Sequence, residues 1–85
     1  MKNIILTVTD IPKSVFFDIE VPTDQIFDQL KDDMIETLNG YDPNLRLKNT
    51  TTEFLCNRTG KQIQANETLE TAGVWNGDYI TILEV

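Results

Sequence analysis

Cys56 is the one thiol in this sequence, and the sequence holds no histidine to activate it. Nucleophilic catalysis needs an activated group with a base beside it. Cys56 instead closes an alternating segment, Phe54-Leu55-Cys56, where a thiol acts as a small apolar side chain. A single cysteine also excludes an internal disulfide. Zinc sites favour several Cys and His ligands, so none is expected. Fourteen acidic residues could supply oxygen ligands, but no loop carries them at the regular spacing of a calcium site. Gly40, Gly60, Gly73 and Gly77 each fall in a different turn, so no phosphate-cradling loop forms. The sequence therefore predicts no enzyme, no catalytic residue, no cofactor and no metal.

What remains is binding. Seven basic against fourteen acidic residues give a net charge of −7. That argues against nucleic acid and anionic membranes, which need Lys/Arg surfaces. It suits a basic protein partner, or simply solubility. The apolar run Ile4-Ile5-Leu6 is too short for a signal-peptide core. No segment approaches the roughly 18 apolar residues of a membrane span. The expectation is a cytoplasmic protein without direct membrane insertion, residues 1–85 forming one domain.

These side chains must be positioned by a small set of elements. Ile4, Leu6 and Val8 alternate with Ile5, Thr7 and Thr9, which predicts a half-buried strand. After a turn at Asp10-Ile11-Pro12-Lys13, Val15, Phe17, Ile19 and Val21 predict a second strand and hence a hairpin. Ile26, Phe27, Leu30, Met34 and Leu38 share one helical stripe, predicting a helix from about Asp24 to Asn39. Thr23 or Asp24 would cap it, and Gly40 at positive φ would end it. Residues 44–52 read as a loop with a short extended piece. Glu53 to Asn57 is the third strand, with Phe54 and Cys56 inward, and Gln62 to Gln64 a very short fourth. Turns at Ala72-Gly73-Val74 and Asn76-Gly77-Asp78 lead into a last strand, Tyr79 to Val85, with Ile80 and Ile82 inward. The order β-β-α-β-β-β, one helix across one face of a mixed sheet of four to five strands, is an α+β β-grasp.

Several segments carry a family likeness. Val21-Pro22-Thr23-Asp24 leading into a helix, and Gly60-Lys61-Gln62-Ile63 followed by Leu69, are similar to ubiquitin. Thr68-Leu69, Gly73-Val74, Gly77-Asp78 and Ile80-Thr81-Ile82 look closer still to small bacterial ubiquitin-like proteins of the YukD/EsaB family. That resemblance implies a cytoplasmic accessory of the type VII (WXG100) secretion machinery, with a protein partner such as a membrane component of that system. Residues 44–52 look like an insertion relative to ubiquitin. A ubiquitin-like modifier, or a sulfur carrier of the ThiS/MoaD type, uses a flexible Gly-Gly tail that threads a narrow active site. This sequence has Glu84-Val85 there instead, so both roles look excluded for a chain that ends so. They stand as the alternative function, beside a regulatory β-grasp domain of an unrelated assembly.

A sheet covered by one helix leaves one face open. Ile5, Phe16, Leu55, Tyr79 and Leu83 are expected there, with Thr7, Asp18 and Thr81 among them, either as a contiguous apolar, protein-binding patch or as ordinary scattered apolar surface. Trp75, between Gly73 and Gly77, either covers the core edge, the role favoured in so small a domain, or stands out as a binding anchor. Asp24, Asp28, Asp32 and Glu36 recur along the outer helix face with Asp33 to one side, and read as a solvated acidic surface.

Overall fold

The computed structural model describes residues 2–84, so Val85, expected in the last strand, lies outside the described residues. Strands β1 (Asn3–Asp10) and β2 (Val15–Pro22) form the expected hairpin, pairing from Asn3↔Pro22 to Asp10↔Val15. Helix α1 (Phe27–Tyr41) crosses to β3 (Thr52–Cys56), which pairs with the two-residue β4 (Lys61–Gln62). Strand β5 (Tyr79–Glu84) inserts between β1 and β3, parallel to the first and antiparallel to the second. The sheet order is β2-β1-β5-β3-β4. This is the β-grasp that the order of elements predicts, in the ubiquitin-like form that the resemblance implies.

The inward residues follow the period of two. Ile4, Leu6, Val8, Ile19, Val21, Phe54, Cys56, Ile80 and Ile82 are all buried and meet Phe27, Leu30, Met34 and Leu38 of the helix. Phe27 and Phe54 pack edge to face with centroids 5.9 Å apart, joining helix to sheet at the centre of the core. Lys31 adds a polar tie: its stem is buried and its ammonium meets Glu53 on β3 at 2.8 Å.

The helix departs from expectation at both ends. Neither Thr23 nor Asp24 caps it; Ile26 holds the cap position with no side-chain hydrogen bond, and is exposed rather than in the stripe. The free N–H groups of Phe27 and Asp28 donate instead to the carbonyls of Glu67 and Ala65, at 2.8 and 3.0 Å. A later loop has taken the role of a cap. Thr23 is pulled the other way, its N–H and hydroxyl both donating to Lys2 O while its own carbonyl accepts from Glu70.

At the far end the helix runs through Gly40 to Tyr41, and Gly40 is helical rather than left-handed. Tyr41 stacks on Phe17 with centroids 5.9 Å apart, which rewards the extra residues. Asn39 then holds the connection: its amide donates to Leu47 O at 3.0 Å and its oxygen accepts from Leu47 N at 2.9 Å. Two single-turn 3-10 segments, Pro43–Leu45 and Asn49–Thr51, stand where residues 44–52 are expected to hold a short extended piece. The reason is burial, since Leu45 and Leu47 both turn into the core.

A substituent at Gly40 would meet open space. Gly40→Ala should therefore stabilise the protein by about 0.5 kcal/mol in urea unfolding, because alanine loses less backbone freedom in a helix. A loss of stability would show that Gly40 needs a left-handed backbone after all.

Candidate protein-binding face

The open face of the sheet is set by strand register. One row runs Phe16, Thr9, Thr81, Leu55, Gln62 across all five strands. The next runs Asp18, Thr7, Tyr79, with Asn57 donating its N–H to Tyr79 O at 3.0 Å. Leu83 sits beside Glu53, and Ile5 beside Glu20. Leu55 is thus a diagonal neighbour of both Tyr79 and Leu83, close enough for large side chains to touch. Ile5 lies diagonal to Tyr79 on the other flank. Phe16 stands apart on the edge strand, separated from Leu55 by Thr9 and Thr81. The expected contiguous patch is therefore a central group of Tyr79, Leu55 and Leu83, with Ile5 adjoining and Phe16 isolated.

Exposure sharpens this. Phe16 is 66% exposed, Tyr79 54% and Ile5 50%, while Leu55 and Leu83 are half-buried. Thr81, expected to project from the face, is buried between its neighbours, its hydroxyl donating to Asn57 Oδ1 at 2.6 Å. Polar groups interleave the apolar ones and are mutually satisfied: Thr7 donates to Asp18 at 2.7 Å and Asn3 to Glu20 at 3.0 Å.

Trp75 does not cover the core edge, for it is 64% exposed and Val74 is buried there instead. Its ring stacks on the Arg58 guanidinium, 3.8 Å from the centroid. Arg58 in turn grips Asp78 through Nε at 3.0 Å and a terminal nitrogen at 3.0 Å, and also donates to Gly73 O. The Asp78 carboxylate further accepts the Trp75 N–H at 2.8 Å and the Cys56 thiol at 3.7 Å. Arg58, Trp75 and Asp78 are thereby one cluster, immediately before β5. The sequence offered Trp75 and the Gly77-Asp78 turn but no local sign that Arg58 would join them. Cys56 is spent as a buried donor inside this cluster.

The loop is also zipped along β1. Ile5 N donates to Asn76 Oδ1 at 2.8 Å, Gly77 N to Ile5 O at 2.7 Å, and Thr7 N to Asp78 O at 3.0 Å. Gly77 adopts φ 87°, which a non-glycine residue would strain. On the opposite side of the molecule, Asp28, Asp32, Asp33 and Glu36 are exposed on α1, while Asp24 precedes the helix. Among the described residues no group of three or more acidic, Cys or His side chains could hold a metal ion. No described helix is long and apolar enough to cross a membrane.

The family model for the WXG100 protein secretion system (Wss) protein YukD matches residues 4–82. The chain belongs to the YukD family. No curated protein matches it. Among solved structures it is similar to the ubiquitin-like domain of the Mycobacterium tuberculosis type VII secretion system protein ECCD1, with TM-score 0.77, 16% identity, and coverage of 99% of this chain and 100% of that one. It is similar to the ubiquitin of Caldiarchaeum subterraneum, with TM-score 0.74, 16% identity, and coverage of 99% and 95%. A chain from the crystal structure of ATBAG1 in complex with HSP70 aligns over 95% of this chain but only 40% of its own length, with TM-score 0.70 and 16% identity. At such identities the likeness shows the fold alone.

The Arg58 hydrogen bonds hold the Asp78 carboxyl below its ordinary value of 3.8, against the opposing effect of burial and with help from the Trp75 N–H. The same bond raises the Arg58 value. A depressed carboxyl contributes stability that is present above its ordinary value and is lost as pH falls through the folded one. Asp78→Asn should cost about 1–3 kcal/mol in urea unfolding at neutral pH. The gap between the two proteins should narrow as pH falls below 3.8. A gap independent of pH would remove the ionic share of this cluster.

Proposed function

We propose that this YukD-family chain is a non-catalytic ubiquitin-like binding module that works in the cytoplasm as an accessory of a type VII secretion system. It acts as one unit and docks through the open sheet face onto another protein, a membrane component of that system being the leading class. The observation that carries this reading is the uncovered face: Tyr79, Ile5 and Phe16 are each at least half exposed on strands whose other side holds the core. Large exposed apolar side chains ringed by satisfied polar groups are the usual make-up of a binding surface. The secretion setting is supported by the family, and by a similar fold in the ubiquitin-like domain of ECCD1. Trp75, exposed and stacked on Arg58 in the loop ahead of β5, is a ready anchor beside the face.

Binding without conjugation is part of the proposal. Ile82, Leu83 and Glu84 are engaged in β5, paired with Phe54, Glu53 and Thr52, which disfavours their threading an activating enzyme's channel. Incubation with ATP and a ubiquitin-type activating enzyme should leave the intact mass unchanged; a covalent adduct at the carboxyl terminus would refute this part.

The docking face is tested by capture. Leu55→Ser, Tyr79→Ser and Leu83→Ser should each weaken capture of purified type VII secretion components by roughly tenfold, as central interface side chains do. Circular dichroism should show the fold retained in all three. Undiminished capture by the triple variant would reject this surface.

A further inference from the structure

Asp10 is the buried acid that nothing in the fold answers. It is 3% exposed and stands at the end of β1, on the same side as Ile4, Leu6 and Val8. Its Oδ2 is fully buried and has no hydrogen-bond partner among the described residues, and the side chain does not cap the turn that follows. Buried polar atoms nearly always have partners, because leaving one bare is costly. Lys13, three residues on, would be the obvious answer. Its ammonium is committed elsewhere, donating to the carbonyls of Asn44 at 3.3 Å and Leu45 at 3.1 Å.

Beside Asp10, strand β5 outruns its neighbour. Pairing of β1 with β5 ends at Thr9↔Thr81, because the chain turns away at Ile11–Lys13. Strand β5 continues to Glu84 and there pairs only with β3. Beyond the Ile82 N–H, which the Thr9↔Thr81 pairing still engages, the β1-side edge of β5 at Ile82 O and Glu84 N has no strand against it among the described residues. The space is a groove of about 330 Å³, walled by the Ile11–Lys13 turn on one side and Thr81–Glu84 on the other, with Asp10 lining it. Thr52 Oγ1, the other buried atom without a partner, lies on β3 opposite Glu84 at this same end of the sheet. Glu84 is exposed at the rim, and the whole chain carries −7.

We propose that this groove receives an extended segment of a partner protein, which adds to the open edge of β5 beyond Ile82 and places an arginine or lysine against the Asp10 carboxylate. An incoming strand takes the place that β1 vacates, so its alternate side chains fall on Asp10's side of the sheet. Apolar Ile11 and Pro12 suit the stem of such a side chain, and its N–H groups supply the donors Asp10 lacks. A hard metal ion would need more oxygen ligands than Asp10 and Glu84 offer. The groove lies at the end of the sheet and shares Leu83 with the open face, so substitution of Asp10 rather than of Leu83 separates the two.

The test uses the full chain, labelled for backbone amide NMR and titrated with the capped peptide Val-Thr-Arg-Thr-Val. Shifts should concentrate at residues 10–13 and 82–84. Replacing the peptide arginine by neutral citrulline should weaken binding about tenfold, and methylating its backbone nitrogens should weaken it as much. D10N should erase the preference for arginine over citrulline while unfolding in urea at or above the parent midpoint, since no native bond is lost. Shifts confined to other surfaces, equal binding of the two peptides, or an arginine preference kept by D10N would each overturn the proposal. Should D10N fold poorly, the peptide comparison on the parent chain still decides.

Discussion

Strand β5 is the element on which the rest of the structure depends. Among the described strands it alone joins the β1–β2 hairpin to β3–β4, and it comes last in the order of described elements. Ile80 and Ile82, both buried, fill the middle of the core beneath the helix. Without β5 the hairpin and the β3–β4 pair would face each other across a gap one strand wide, with bare main-chain groups on both sides. The closing contacts are therefore the longest in sequence, Thr7 with Tyr79 and Val8 with Ile80. Such non-local pairing slows folding, because loop closure must precede the reward.

Seating that strand demands a firm lead-in, which the residues before it supply. The loop from Ala65 to Asp78 caps the helix with the Ala65 and Glu67 carbonyls, buries Leu69 and Val74, and hydrogen-bonds along β1 at Ile5 and Thr7. It is a structural brace rather than a slack connection. The buried carboxyl of Asp78 shows how such a loop is fixed: four donors from Arg58, Trp75 and Cys56 converge on it. Buried Asp10, whose Oδ2 has no partner among the described residues, stands in contrast at the other end of the same sheet.

Much of this was legible in the residues. Alternation placed the four longer strands and gave the inward set from Ile4 to Ile82, since the period of two depends only on local backbone geometry, while the two-residue β4 fell one residue earlier than expected. The helix ends were not legible, because their causes are distant in sequence. The caps for Phe27 and Asp28 come from Ala65 and Glu67, and Gly40 stays helical where Tyr41 finds Phe17. The open face was readable as a set of residues but not as a pattern. Only the register shows that Thr9 and Thr81 separate Phe16 from Leu55. Asp10 had a signal that went unused: it continues the inward series Ile4, Leu6, Val8, yet its neighbours Ile11 and Pro12 made it look like a turn residue. Arg58 had none, for nothing local in Asn57-Arg58-Thr59 points to an aspartate in another loop.

Trp75 is the sole tryptophan in the sequence. Its ring lies on Arg58, which grips Asp78 directly ahead of β5. The protein thus carries an intrinsic fluorophore whose surroundings are assembled only when the central strand is home. Because the indole stays 64% exposed in the folded protein, its emission reports on the Arg58–Asp78 cluster at the lead-in to β5 rather than on burial in the core.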